Sequence, residues 1–177
     1  MKLETARLIL RDAVMADLDN LHRLLSDQAN MYYLDDVATR TLGESEANLR
    51  HAMLNDDGHY FCIERKEDRA YIGQVGYTIT DVTPCGKIVH MGYFILPEQQ
   101  GRGYTTEAVG RAVRYAFEED GCVRITTGCY ADNKASERVM IKSGFLREGL
   151  HKKAQYHDGI MKDRLSYAIN KDDYAAR

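Results

Sequence analysis

Pro97-Glu98-Gln99-Gln100-Gly101-Arg102-Gly103-Tyr104-Thr105-Thr106-Glu107-Ala108 is the stretch whose reading decides the architecture. Proline has no N–H to give a ladder, so Pro97 ends the strand before it. Gly101 and Gly103 then permit a tight turn. Beyond them Val109, Ala112, Val113, Ala116 and Phe117 recur at i, i+3, i+4, i+7 and i+8, which predicts a helix over 103–120. Gly121 is placed to stop it. Strand, glycine turn and helix follow in that order. Glycines let successive N–H groups converge, and a helix N-terminus adds unbonded donors and a partial positive charge. Such a construction binds phosphate, and Arg102 adds a charge to it. It is not a Walker P-loop, because no Gly-Lys-Ser/Thr follows, and position 106 lacks the third glycine of G-x-G-x-x-G. The glycines alone leave a plain tight turn before a core helix equally open.

Upstream, Lys87 to Leu96 reads as the strand that Pro97 ends, and Thr83-Pro84-Cys85-Gly86 as the loop before it. Val75, Tyr77 and Ile79 alternate in a strand over 71–80, and Tyr60 to Glu64 forms another. Arg7 to Arg11 alternates as the first strand. Val14, Leu18, Leu21 and Leu25 define a helix over 13–27. A second helix covers 44–54, with Leu49, Ala52 and Met53 inward, and Thr41 and Glu44 have the spacing of a capping box. Downstream, Val123 to Cys129 is a strand, and a helix over 133–143 is stopped by Gly144. Strands over 145–156 and 160–170 close the chain, joined at His157-Asp158-Gly159, where Asp-Gly suits a hairpin turn. These readings give one mixed α/β (α+β) domain over 1–177, with about seven strands and about four helices.

The chain has 177 residues, 44% hydrophobic and 29% charged. A globular chain of this size buries roughly 70% of its unfolded surface and needs neither disulfide nor metal to hold a core. Twenty-four Lys and Arg face 27 Asp and Glu, so the formal charge is −3. That balance lacks the basic footprint of a nucleic-acid binder. No apolar run reaches membrane-span length, and the N-terminus has no apolar signal core. Cys62, Cys85, Cys122 and Cys129 form no C-x-x-C pair and have no metal-ligand spacing with histidine. The expectation is a reducing cytoplasm with no metal, no nucleic-acid partner and no membrane.

Gln100-Gly101-Arg102-Gly103-Tyr104-Thr105 resembles the acetyl-CoA signature of the GNAT acetyltransferase superfamily, Gln/Arg-x-x-Gly-x-Gly/Ala. It matches at Gln100 and Gly103 and departs at Thr105. Asn133 to Phe145, with its small residues and closing Gly-Phe, is similar to the family's second signature. Thr5 to Arg11, Gly92 to Pro97, Gly144 to Gly149, and Lys162-Asp163 ahead of Tyr167 resemble the RimJ/RimL-like branch. The resemblance spans essentially the whole chain in order.

It implies acetyl-CoA as co-substrate, without a metal. It also implies strands near 87–96 and 123–129 splayed around the cofactor. Backbone groups of Phe94, Ile95 and Leu96 would pair with pantetheine. The amides of Gln100, Gly101, Arg102, Gly103, Tyr104, Thr105 and Thr106 would hold the pyrophosphate. Asn133 is by residue type an ordinary helix N-cap, and by resemblance it would also hydrogen-bond pantetheine or position the acceptor. Many relatives keep a tyrosine where Met140 stands, to protonate the leaving thiolate. Methionine cannot donate a proton, and Ser136, one turn earlier, takes that place. His90 stands where relatives carry a glutamate, and histidine suits a general base. Tyr130, Glu98, His151 and Tyr156 are further candidates for the base. Asp35, Asp36, Glu44, Glu46, Asp56 and Asp57 form an acidic stretch that would attract a cationic amine or is an ordinary solvated loop. The acceptor would be a primary amine, on a protein N-terminus or a small molecule such as a polyamine, and a homodimer is left open. A non-catalytic acyl-CoA-binding sensor or interaction module is the competing reading, motivated by Thr105 and the missing tyrosine.

Overall fold

The computed structural model describes residues 1–34 and 37–176. Its strands are β1 (Lys2–Glu4), β2 (Leu8–Asp12), β3 (Gly58–Arg65), β4 (Tyr71–Thr83), β5 (Gly86–Ile95), β6 (Cys122–Tyr130), β7 (Leu146–His157) and β8 (Ile160–Asn170). The helices are α1 (Leu18–Ser26), α2 (Leu42–Leu54), α3 (Tyr104–Glu118), α4 (Lys134–Lys142) and the short α5 (Lys171–Ala175). The strand order is β1-β2-β3-β4-β5-β6-β8-β7. β5 and β6 pair in parallel from Lys87 opposite Cys122 to His90 opposite Thr126, whereas β6–β8 and β7–β8 are antiparallel. Parallel neighbours need a crossover, and α3 supplies it, so the sheet is mixed. Residues 1–78 and 92–112 form one compact unit, and residues 79–91 and 113–177 form another.

In the first unit, Ala13, Leu21, Leu24, Leu25, Met31, Leu49, Cys62, Tyr71 and Leu96 make a buried cluster, with Phe94 packed against it. Beside it lies a polar knot. Arg11 donates to both oxygens of Asp17, at 2.6 and 2.8 Å, and to Glu64 at 2.5 Å. In the second unit Phe117, Ile125, Met140, Leu165 and Ile169 are all buried.

The structure corrects four expectations. β1 is an eighth strand, too short at three residues to show alternation. The first helix begins at Leu18, because Met15–Asp17 forms a 3₁₀ turn. Val14 precedes that turn in extended conformation and is 47% exposed rather than inward. On α2 the buried face runs through Ser45 and Leu49, leaving Ala52 half-buried and Met53 exposed near the helix end. The capping box is present: Thr41 accepts from the Glu44 N–H at 3.2 Å, and Glu44 accepts from the Thr41 N–H at 3.1 Å. His157-Asp158-Gly159 turns between β7 and β8 with φ of +49° at Asp158 and +81° at Gly159.

Candidate active site

The glycine turn follows a 3₁₀ turn at Pro97–Gln99, and both glycines are left-handed, at +73° for Gly101 and +79° for Gly103. Side chains resist that conformation, so glycine is favoured at both positions. The first internal bond of α3 runs from the Glu107 N–H to the Gly103 carbonyl at 3.1 Å. The amides of Tyr104, Thr105 and Thr106 therefore precede it, as donors at a helix N-terminus. The Gln100 N–H instead donates to the Pro97 carbonyl at 3.2 Å. Its side chain braces the loop, donating to Asn30 Oδ1 at 2.9 Å and to the Ile95 carbonyl at 3.4 Å. Gly101, Arg102 and Gly103 are exposed, while Tyr104 is buried. Among the pantetheine candidates, Ile95 and Leu96 are buried and Phe94 is half-buried. The Leu96 N–H already donates to the Ile72 carbonyl at 3.0 Å. The Leu96 carbonyl in turn accepts from the Gln99 N–H at 2.9 Å, which leaves it one lone pair for a ligand.

In the second unit, His90 Nδ1 lies 3.1 Å from Thr126 Oγ1, and that hydroxyl donates to the Val89 carbonyl at 3.1 Å. A hydroxyl has one hydrogen, so Thr126 accepts from His90. Nδ1 therefore carries the ring proton and Nε2 is the basic nitrogen. His90 is exposed, yet neighbouring protein atoms still desolvate its ring in part. That desolvation, and then the Arg164 charge, hold its pKa below the ordinary histidine value.

Asn133 caps α4 by accepting from the Ser136 N–H through Oδ1 at 3.1 Å, which leaves its side-chain amide hydrogens for another partner. Ser136 is half-buried, and Met140 is fully buried. The Cys129 thiol donates to the Asn133 carbonyl at 3.8 Å. Burial and then the Glu137 charge push that thiol up to about 11, against a hydrogen bond from Ser136. It stays protonated and is a weak nucleophile.

Other candidates for the base are engaged elsewhere. Glu98 pairs with Arg23 at 3.0 Å, and His151 lies 3.0 Å from Ser166. Tyr156 is 68% exposed. Tyr130 is buried beneath the cations of Arg164 and Lys162, at 5.2 and 5.8 Å from its ring centroid. In the acidic stretch Glu44 serves the capping box, Glu46 pairs with Arg50 at 2.6 Å, and Asp57 with His51 at 3.0 Å. Asp35 and Asp36 lie outside the described residues. Sequence reading does not single out Thr126, since only the parallel register sets it opposite His90. Among the described residues no group of three His, Cys, Asp or Glu could hold a metal, and no helix is long and apolar enough to cross a membrane.

Comparison with known proteins bears on this arrangement. The family described as acetyltransferase (GNAT) domain matches residues 7–146. The chain is 30% identical over 172 residues to the uncharacterized N-acetyltransferase YoaA of Bacillus subtilis, covering 96% of each chain. Its fold superposes on the spermidine N-acetyltransferase of Vibrio cholerae, solved with CoA and spermine, with a TM-score of 0.85. That match has 21% identity and covers 97% of this chain and 99% of the other. RimL, a ribosomal L7/L12 α-N-protein acetyltransferase solved with coenzyme A, matches with the same TM-score of 0.85. There the identity is 22%, over 98% of this chain and 99% of the other.

Proposed function

This chain belongs to the GNAT family of acetyl-CoA-dependent N-acetyltransferases, and on that premise we propose that it acetylates a primary amine, on a polyamine or a peptide N-terminus, by direct attack. The observation that carries the proposal is the left-handed glycine pair opening α3. It presents the amides of Tyr104, Thr105 and Thr106 at a helix N-terminus, where a diphosphate is stabilised. Thr105 does not close this site, because the backbone is the donor there and the threonine hydroxyl adds another. The carbonyls of Phe94, Ile95 and Leu96 are offered to the pantetheine amides, those of Ile95 and Leu96 through the lone pair that Gln100 and Gln99 do not use, and Asn133 offers its side-chain N–H groups.

The amine nitrogen attacks the thioester carbonyl carbon, the C–S bond breaks, and the CoA thiolate leaves. An amine attacks only when neutral, so a base that removes its proton speeds the reaction. His90 Nε2 takes that proton, directly or through a water, and the proton on Nδ1 fixes which nitrogen is basic. Ser136 hydrogen-bonds the departing sulfur or relays a proton to it. The free cysteines, three of them buried, suit a reducing cytoplasm. The spermidine and ribosomal-protein acetyltransferases that share the fold motivate the two acceptor classes.

Thiol release from acetyl-CoA, measured across polyamines and short peptides, tests the reading. The expected result is turnover above buffer hydrolysis with at least one amine. Tight CoA binding with silence on every amine would favour the non-catalytic module instead.

A further inference from the structure

We infer that Arg7 is a positioning residue that makes the glycine turn fit to receive a diphosphate, an inference that rests on the phosphate-binding reading of that turn. Glu107 lies in the first turn of α3. A carboxylate there suits the helix dipole but opposes an arriving anion. Arg7 answers that charge. Its Nε and Nη2 both lie 2.7 Å from Glu107 Oε2. Its backbone N–H donates to Oε1 at 2.8 Å, and the Thr5 hydroxyl donates to the same oxygen at 2.6 Å. Both carboxylate oxygens are thus turned toward donors of the segment leading into β2. Although burial opposes it, these donors from Thr5 and Arg7 hold the Glu107 carboxyl below its usual value, so the charge being masked is permanent near neutrality.

The same guanidinium reaches the turn itself. Nη1 donates to the Arg102 carbonyl at 3.0 Å, fixing the residue between the two left-handed glycines. The guanidinium carbon lies 4.7 Å from the Tyr104 ring centroid, within cation–π range. One side chain therefore fixes the turn, packs on the first residue of α3 and masks the one carboxylate of that helical turn. Half of the Arg7 side chain remains exposed. An ion pair so exposed adds little to stability, and its placement on the phosphate turn gives it another use.

The test uses CoA and dephospho-CoA as probes, with dissociation constants from calorimetry at low salt. Dephospho-CoA keeps the pyrophosphate and lacks the 3′-phosphate. Arg7→Gln is expected to weaken both probes by the same factor, at least about tenfold, or one decade of affinity. Arg7→Gln/Glu107→Gln, which also removes the unmasked charge, is expected to recover at least about threefold of that loss, as fewer repulsive charges remain. A merely structural Arg7 would not be rescued by deleting its partner. If Arg7→Gln does not melt cooperatively, Arg7→Lys keeps the charge without the fork and is expected to show an intermediate loss. Affinity within twofold of the parent in a folded variant would overturn the inference, as would absent recovery in the double variant or a loss confined to CoA. Failure of the parent itself to bind CoA would overturn the phosphate reading, a result distinct from these.

Discussion

In the proposed reaction a proton on Nδ1 is what suits His90 to act as the base, because it leaves Nε2 ready to accept another. His90→Gln is therefore expected to lower kcat by about 10²-fold, the low end for loss of a general base. Because desolvation and Arg164 depress the His90 pKa, the neutral base persists below the ordinary value of about 6.5. The acid limb of kcat/KM should fall below that pH in the parent and vanish in His90→Gln. An unchanged pH profile would leave His90 a packing residue. Ser136→Ala removes one hydroxyl and keeps the size. It should lower kcat at least about tenfold with little change in the acetyl-CoA KM, within the range for proton assistance to a leaving group. Turnover within twofold of the parent would reduce Ser136 to a small residue that lets α4 approach.

Helix starts carry the proposed cofactor site at the next scale. The turn before α3 works only while position 103 holds a residue at φ +79°. A Cβ there would stand 3.5 Å from Arg7 Nη2 and would strain the backbone whatever the space. Gly103→Val is expected to raise the acetyl-CoA KM at least about tenfold, since misplacing positioning groups by an ångström can cost two decades. An unchanged KM in a folded variant would refute the cradle. The proposal gives the cap of α4 two duties. Asn133→Asp keeps the oxygen that accepts from the Ser136 N–H but loses the amide donors. It should preserve stability while weakening acetyl-CoA binding, whereas Asn133→Ala also costs about 1 kcal/mol of stability for the lost cap. Chemical denaturation beside CoA titration separates the two.

Stability against acid is a property of the whole chain. Burial alone would raise the Asp17 carboxyl, but hydrogen bonds from Arg11 and the Val14 N–H outweigh it and hold the pKa low. Asp12 is lowered in the same way against opposing burial, by the N-terminus and His59. A lowered carboxyl contributes stability that is fully present above its unfolded pKa of about 4 and is lost as pH falls through the folded value. His90, also lowered, adds a loss that begins as pH drops below about 6.5. The denaturation midpoint should therefore be flat at neutral pH and decline steadily into acid. Asp17→Ala should cost about 1–3 kcal/mol at neutral pH, because two Arg11 donors and the Val14 N–H lose their acceptor while Arg11 keeps Glu64. It should also flatten the acid slope. A slope identical to the parent's would contradict the coupling.

Local chemistry was readable from the sequence. The left-handed Gly101 and Gly103, the Thr41–Glu44 capping box, the Asn133 cap and the Asp158-Gly159 turn each depend on residues within a few positions of one another. Steric freedom and capping act at that range, so residue types and spacing suffice. Short or terminal pieces escaped, as β1 and Val14 show, because three residues carry no period and a residue outside a helix obeys none. What touches across the sequence was decided by the tertiary structure. Thr126 meets His90 only through the register of a parallel ladder that α3 makes possible. Arg7 meets Glu107 across 100 positions, and Gln100 meets Asn30 across 70. The Leu96 N–H is taken by Ile72, a pairing that strand order alone determines. Such meetings follow from which faces are buried together and in what register, a collective outcome of packing that no local spacing encodes.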